Sequence, residues 1–73
     1  MERYKNSSGH SGIHSFELRP EAIAVKFSGT ECVYVYSYRS AGNTFVEKMK
    51  LLARSGRGLN SFIQTNARRL YER

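Results

Sequence analysis

Val33-Tyr34-Val35-Tyr36-Ser37-Tyr38 sets tyrosines at every second position, the period-two pattern of a strand that sorts its side chains onto two faces. Which face the tyrosines take decides whether they bind or pack. Two apolar runs precede it, Ile13 to Leu18 and Ala22 to Phe27, and the breaks between runs, Arg19-Pro20-Glu21 and Ser28-Gly29-Thr30-Glu31, are turn signals. Loops of two or four residues there put Leu18 opposite Ile23, Phe16 opposite Val25, Val25 opposite Tyr34 and Ile23 opposite Tyr36. Directly opposed residues share a face. One face then carries Phe16, Leu18, Ile23, Val25, Phe27, Tyr34 and Tyr36, and the other Ser15, Glu17, Ala22, Ala24, Lys26, Val33, Val35 and Ser37. Only the first reads as a core, and a one-residue slip in either hairpin would mix the two sets.

After the strands, Asn43 or Thr44 can cap a helix whose apolar stripe is Phe45, Met49 and Leu52, with Lys48, Lys50 and Arg54 beside or opposite it. Gly56 and Gly58 stop that helix, because glycine accepts the left-handed conformation a helix C-terminus commonly needs. A short second helix, about Leu59 to Thr65, buries Leu59, Phe62 and Ile63. The pattern predicts an α+β fold, a three-stranded antiparallel meander followed by two helices packed on one face. Residues 1–12 are polar and rich in Ser and Gly, and are expected to form a loose arm before a single domain over 13–73. The basic stretch 66–73 carries no decisive pattern.

Seventy-three residues allow one small domain, which buries only about 60% of the surface its unfolded chain exposes. Twelve Lys and Arg against six Glu and no Asp give a net charge of +6. That charge favours anionic partners such as nucleic acid, and it equally serves solubility. Cys32 is the only cysteine, which excludes an internal disulfide or a cysteine zinc cage, points to a reducing compartment, and suggests a small buried core residue. No run approaches the roughly 20 apolar residues of a membrane span, and no signal-peptide pattern opens the chain. A cytoplasmic protein without cofactor, metal or membrane contact is the expectation.

From about Ser8 to Tyr71 the order of parts is a two-hairpin meander, Tyr34-x-Tyr36 in its last strand, a helix ending Ala53-x-Ser55, then Gly56-Arg57-Gly58-Leu59-Asn60 and Ile63. This order resembles a KTSC domain, a short module named for its place at the C-terminus of some lysyl-tRNA synthetases and also found as a free-standing small bacterial protein. Ala41-Gly42 stands where such domains often carry a Val-Pro step. The resemblance implies an RNA-binding role.

RNA-binding sheets expose aromatic rings on which unpaired bases stack, a role open to Tyr34 and Tyr36 if their face is uncovered. Their expected neighbours Ile23, Val25 and Phe27 favour packing instead, which leaves Tyr38, near the strand end, the best placed of the three for exposure. In Gly56-Arg57-Gly58 the backbone can approach a phosphate and Arg57 can add a bidentate contact. The same residues also make an ordinary helix-to-helix turn with a solvated arginine. Asn60 is expected to cap the second helix or tie this loop. Arg68, Arg69 and Arg73, with Tyr71 among them, form a basic cluster of the kind that holds single strands, and Arg39 and Lys26 can extend it from the open side of the sheet. Leu70 and Tyr71 can equally dock back onto the domain.

No pair of carboxylates at helical spacing and no nucleophile with a base and an orienting acid stand out, so catalysis is not expected. A Cys32 dyad with His10 or His14, and a His10–His14 metal pair, both fail because the histidines sit in or beside the polar arm with Gly12 between them. The chain reads as a non-catalytic module that binds RNA weakly: Arg57, Arg68, Arg69 and Arg39 engage three or four phosphates, and Tyr38 or Tyr71 stacks. The alternative is a protein-interaction or self-association module whose half-apolar second face, with Ala22, Ala24, Val33 and Val35, meets a partner or another copy.

Overall fold

The computed structural model describes residues 1–5 and 12–72. These residues form an α+β fold in which a four-stranded antiparallel sheet, in the order β1-β2-β3-β4, carries helices on one face. Its strands are β1 (Glu2–Arg3), β2 (Ile13–Arg19), β3 (Ala22–Phe27) and β4 (Val33–Ser37). The register pairs Phe16 with Val25, Leu18 with Ile23, Val25 with Tyr34 and Ile23 with Tyr36, as the alternation predicts. A bulge near His14 lets Ile13 join the core face opposite Phe27, while Ser15 faces Lys26 on the other side.

Strand β1 is the difference from the expected meander. Residues 2–5 are placed on the sheet, whereas the sequence reading assigns them to a loose arm; residues 6–11, including His10, lie outside the described residues. Glu2 and Arg3 pair with Phe16 and Ser15, and the Tyr4 amide donates to the His14 carbonyl at 3.0 Å. Tyr4 is the anchor. Its ring is 3% exposed and meets Phe16 edge-on at 6.5 Å between centroids. Its hydroxyl accepts the Leu59 N–H at 3.3 Å, a donor in the first turn of a helix that has no partner inside that helix. One side chain thus ties the first strand to a helix more than fifty positions later in the chain.

Helix α1 (Tyr38–Ala41) starts directly after β4. Ser37 and Ser40 cap each other: Ser40 N–H donates to Ser37 Oγ at 3.1 Å, and Ser37 N–H donates to Ser40 Oγ at 3.0 Å. Helix α2 (Asn43–Ser55) begins after Gly42, with no side-chain cap, so neither Asn43 nor Thr44 caps it. Its buried stripe is Val46, Met49, Lys50 and Ala53. Compared with the expected stripe the helix is turned by about one residue, which leaves Phe45 and Leu52 half-buried at the margin; the Phe45 ring packs edge-on against Phe62 at 5.5 Å. Gly56 ends α2 in the left-handed region at φ 80°, and its N–H returns to the Leu52 carbonyl.

Helix α3 (Leu59–Phe62) follows Gly58 and runs on as a π-helical segment, Ile63–Ala67. Leu59, Ile63 and Ala67 join Phe16, Ile23, Val25, Tyr36, Val46 and Met49 in one core between the sheet and the helices. Phe62 is only half-buried, and Asn60 lies inside the helix rather than at its cap, which is Gly58. Cys32 is exposed in the turn before β4, not in the core: the strand starts one residue later, so the thiol has no sheet face to join.

Candidate nucleic-acid interface

The tyrosines of β4 take the core face. Tyr36 is 1% exposed, and burial, with Tyr34 and Tyr71 adding to it, pushes its hydroxyl pKa up to about 12. Tyr34 sits one pleat further along the strand and is half-buried. Its ring lies edge-on to Phe27 at 5.5 Å and to Tyr71 at 4.8 Å, and Tyr71 reaches Tyr36 at 6.2 Å. These rings line an open groove of about 320 Å³ between β4 and the π-helical segment, completed by Thr30, Ile63, Gln64 and Arg68. Among the described residues, Arg68 is its only charged lining residue.

Arg68 and Tyr71, both expected in a site, therefore share one groove, and Arg69 is exposed beside them. Arg57 does not join them. It precedes α3 while Arg68 follows the π-helical segment, so nine helical residues, roughly 13 Å at 1.5 Å each, separate the two. Two amides flanking Arg57 are engaged within the fold: Gly56 N–H donates to the Leu52 carbonyl and Leu59 N–H to the Tyr4 hydroxyl. Gly56 and Gly58 both hold the left-handed conformation that the turn between α2 and α3 requires, at φ 80° and 84°. Asn60 lies away from the groove, in the first turn of α3, where its Nδ2 comes within 3.9 Å of the place a Cβ on Gly12 would take.

Arg39 sits on α1 and lines a different hollow, of about 330 Å³, with Arg19, Glu21, Val35, Ser37 and Glu72. Tyr38 is half-buried at the start of α1, with its hydroxyl donating to Glu47 Oε2 at 2.5 Å. That hydrogen bond, more than desolvation or charge, raises the Tyr38 pKa, and it lowers that of Glu47, with Lys50 adding to the effect. Tyr38 thus has its hydroxyl tied to Glu47 at a partly exposed position that does not line the groove. Lys26 is paired with Glu31 at 3.9 Å on the second face.

Sequence reasoning missed Lys50. Its side chain is 10% exposed, and its Nζ donates to the Pro20 carbonyl at 3.1 Å and pairs with Glu47 at 3.1 Å, 5.8 Å from the centre of the Tyr38 ring. The missed wall residues of the groove, Thr30 and Gln64, carry no signal in the sequence.

Among the described residues, Arg3, Lys5, Arg39, Lys48, Arg54, Arg57, Arg68 and Arg69 form no salt bridge, because the Glu residues that do pair take Arg19, Lys26 and Lys50. Most of the positive charge thus faces solvent uncompensated. No helix among the described residues is long and apolar enough to cross a membrane, and no group of His, Cys and Glu there could hold a metal ion. No family model, curated protein or solved structure matches the chain.

Proposed function

We propose that this chain is a KTSC-type, non-catalytic module that binds single-stranded RNA weakly, through the groove between β4 and the π-helical segment. One observation carries the reading: Arg68 and the half-buried rings of Tyr34 and Tyr71 line the same open groove, with no carboxylate among its described lining residues. A cation beside aromatic edges is the combination that engages a phosphate and an unpaired base together. The uncompensated cations elsewhere on the surface raise the encounter rate with a polyanion without forming the site. An exposed free thiol at Cys32 fits a reducing, cytoplasmic setting. A fluorescence titration with single-stranded RNA at low salt tests the proposal; no binding by the folded protein defeats it.

Self-association through the second sheet face is the other reading, and it has its own observation. Val33 is 46% exposed there beside half-buried Val35, an apolar pair of the kind that a second copy covers. Sedimentation at high protein concentration separates the two, since a monomer removes the support for self-association.

A further inference from the structure

The β4 edge is already occupied, and the way it is occupied describes a binding site. After a turn in which Leu70 N–H donates to Ala67, the Glu72 N–H donates to the Val35 carbonyl at 2.7 Å. Side chains on either side of this backbone contact alternate as in a strand. Tyr71 goes to the core face, against Tyr34 and Tyr36, and the Glu72 carboxylate goes to the second face, where Ser37 Oγ donates to it at 2.6 Å. Arg19, Glu21 and Arg39 line the hollow beside this carboxylate, with Arg19 paired to Glu17 at 2.9 Å. Three contacts, a main-chain hydrogen bond, an aromatic pocket and a hydroxyl that donates to the carboxylate, thus read two consecutive residues. This is the grammar of strand addition to a sheet edge, in which the backbone supplies affinity and alternate pockets supply specificity.

We propose that the β4 edge is a peptide-docking site for an extended segment of a partner protein carrying an aromatic residue followed by an acidic one, and that residues 71–72 fill it in cis. The cis pair defines the occupant: its ring packs against Tyr34 and Tyr36 and its carboxylate accepts from Ser37 Oγ, beside a hollow lined by Arg19, Glu21 and Arg39 on a chain of net charge +6. The strap competes with any partner at an effective concentration of roughly millimolar, so the site opens to segments that hold more of the edge than one main-chain hydrogen bond. Tyr71 also walls the groove proposed for RNA, so the peptide titration is read with no RNA present and its outcome stands apart from RNA binding.

The test uses full-length protein and a fluorescein-labelled peptide of residues 67–72, read by anisotropy. Tyr71→Ser with Glu72→Pro removes the ring and the N–H that hold the strap; Glu72→Ala, a milder change, removes only the carboxylate grip. The peptide is expected to bind the doubly substituted chain at least tenfold more tightly than wild type and Glu72→Ala by an intermediate factor, and to lose at least tenfold when its own tyrosine is serine. Equal binding to wild type and to the folded variants, or binding that ignores the peptide's tyrosine, overturns the proposal. Should the double variant unfold, the Glu72→Ala comparison decides it in the same way.

Discussion

Lys50 Nζ lies 3.1 Å from the Pro20 carbonyl, so an ammonium on α2 holds the turn between β2 and β3 from thirty residues away. The stem of the lysine is buried and its head is shared between that carbonyl and Glu47, the arrangement by which a long cation covers apolar surface while keeping its charge satisfied. Lys50→Ala removes a charge-assisted hydrogen bond and the packed stem together. The loss expected in urea unfolding is about 1.5–3 kcal/mol, whereas Lys48→Ala on the exposed side should stay within about 0.5 kcal/mol. Equal effects would mean that the Pro20 contact holds nothing.

Tyr4 offers a test of the first strand. Its ring fills core space beside Phe16, and Tyr4→Ala should cost about 3 kcal/mol or more by analogy with other aromatic truncations, a large part of the stability of a domain this small. Tyr4→Phe keeps the ring and forfeits only the hydrogen bond from Leu59, so about 1 kcal/mol is expected. Thermal unfolding of both variants measures the two parts. A wild-type midpoint for Tyr4→Ala would show that residues 1–5 lie free of the domain.

The order in which these features become visible is itself physical. The β2–β3–β4 register was legible because alternation of period two and short turns allow only one pairing that keeps Phe16, Ile23, Val25 and Tyr36 on one face. Two residues, Glu2 and Arg3, have no period, and the burial of Tyr4 depends on a helix far along the chain, so β1 left no local trace. The stripe of α2 lies about one residue from the one the sequence suggests, because bulky Phe45 and Leu52 dominate the pattern while smaller Val46 and Ala53 are the residues buried. Arg68 and Tyr71 were visible as a basic and aromatic cluster. Their separation from Arg57 was not, since it follows from the helix running on through Ala67.

Tyr36 gives the fold an alkaline limit. Its pKa is raised to about 12 from 10.0 in the folded chain, so between those values the unfolded state has released the proton while the folded state retains it. The stabilising difference is complete below pH 10 and is lost as pH rises toward 12. At 1.36 kcal/mol per unit the loss is on the order of 2–3 kcal/mol. Denaturant midpoints measured from pH 9 upward should fall in the wild type and fall less steeply in Tyr36→Phe, which has no proton to lose. Parallel curves would refute the assignment.

Gly58 holds φ at 84° where the chain turns into α3. An added Cβ would lie 3.6 Å from Leu52 Cδ2, ordinary contact distance, so space is not the obstacle. The cost of Gly58→Ala is the left-handed backbone, about 1–2 kcal/mol, and chemical denaturation should register it with an unchanged m-value. A neutral result would mean that the turn relaxes out of this conformation.

RNA affinity should depend on salt only moderately. A site built from every candidate arginine would neutralise three or four phosphates, but Arg57 stands at the far end of the helix and Arg39 lines another hollow, so Arg68 is left at the groove with exposed Arg69 next to it in the chain. Each single-strand phosphate contact contributes about −0.7 to the slope of log K against log salt, and two contacts predict about −1.4. Arg68→Ala should halve that slope and weaken binding similarly across sequences, because phosphate contacts position a strand without reading its bases. Arg57→Ala should change the slope little, and Tyr36→Phe should change neither slope nor affinity, since that ring is in the core. Tyr34→Ala should weaken binding at all salt concentrations while leaving the slope intact, which separates stacking from charge. A slope near −3 that falls on Arg57→Ala would instead spread the contact over the whole basic surface and remove the groove from the mechanism.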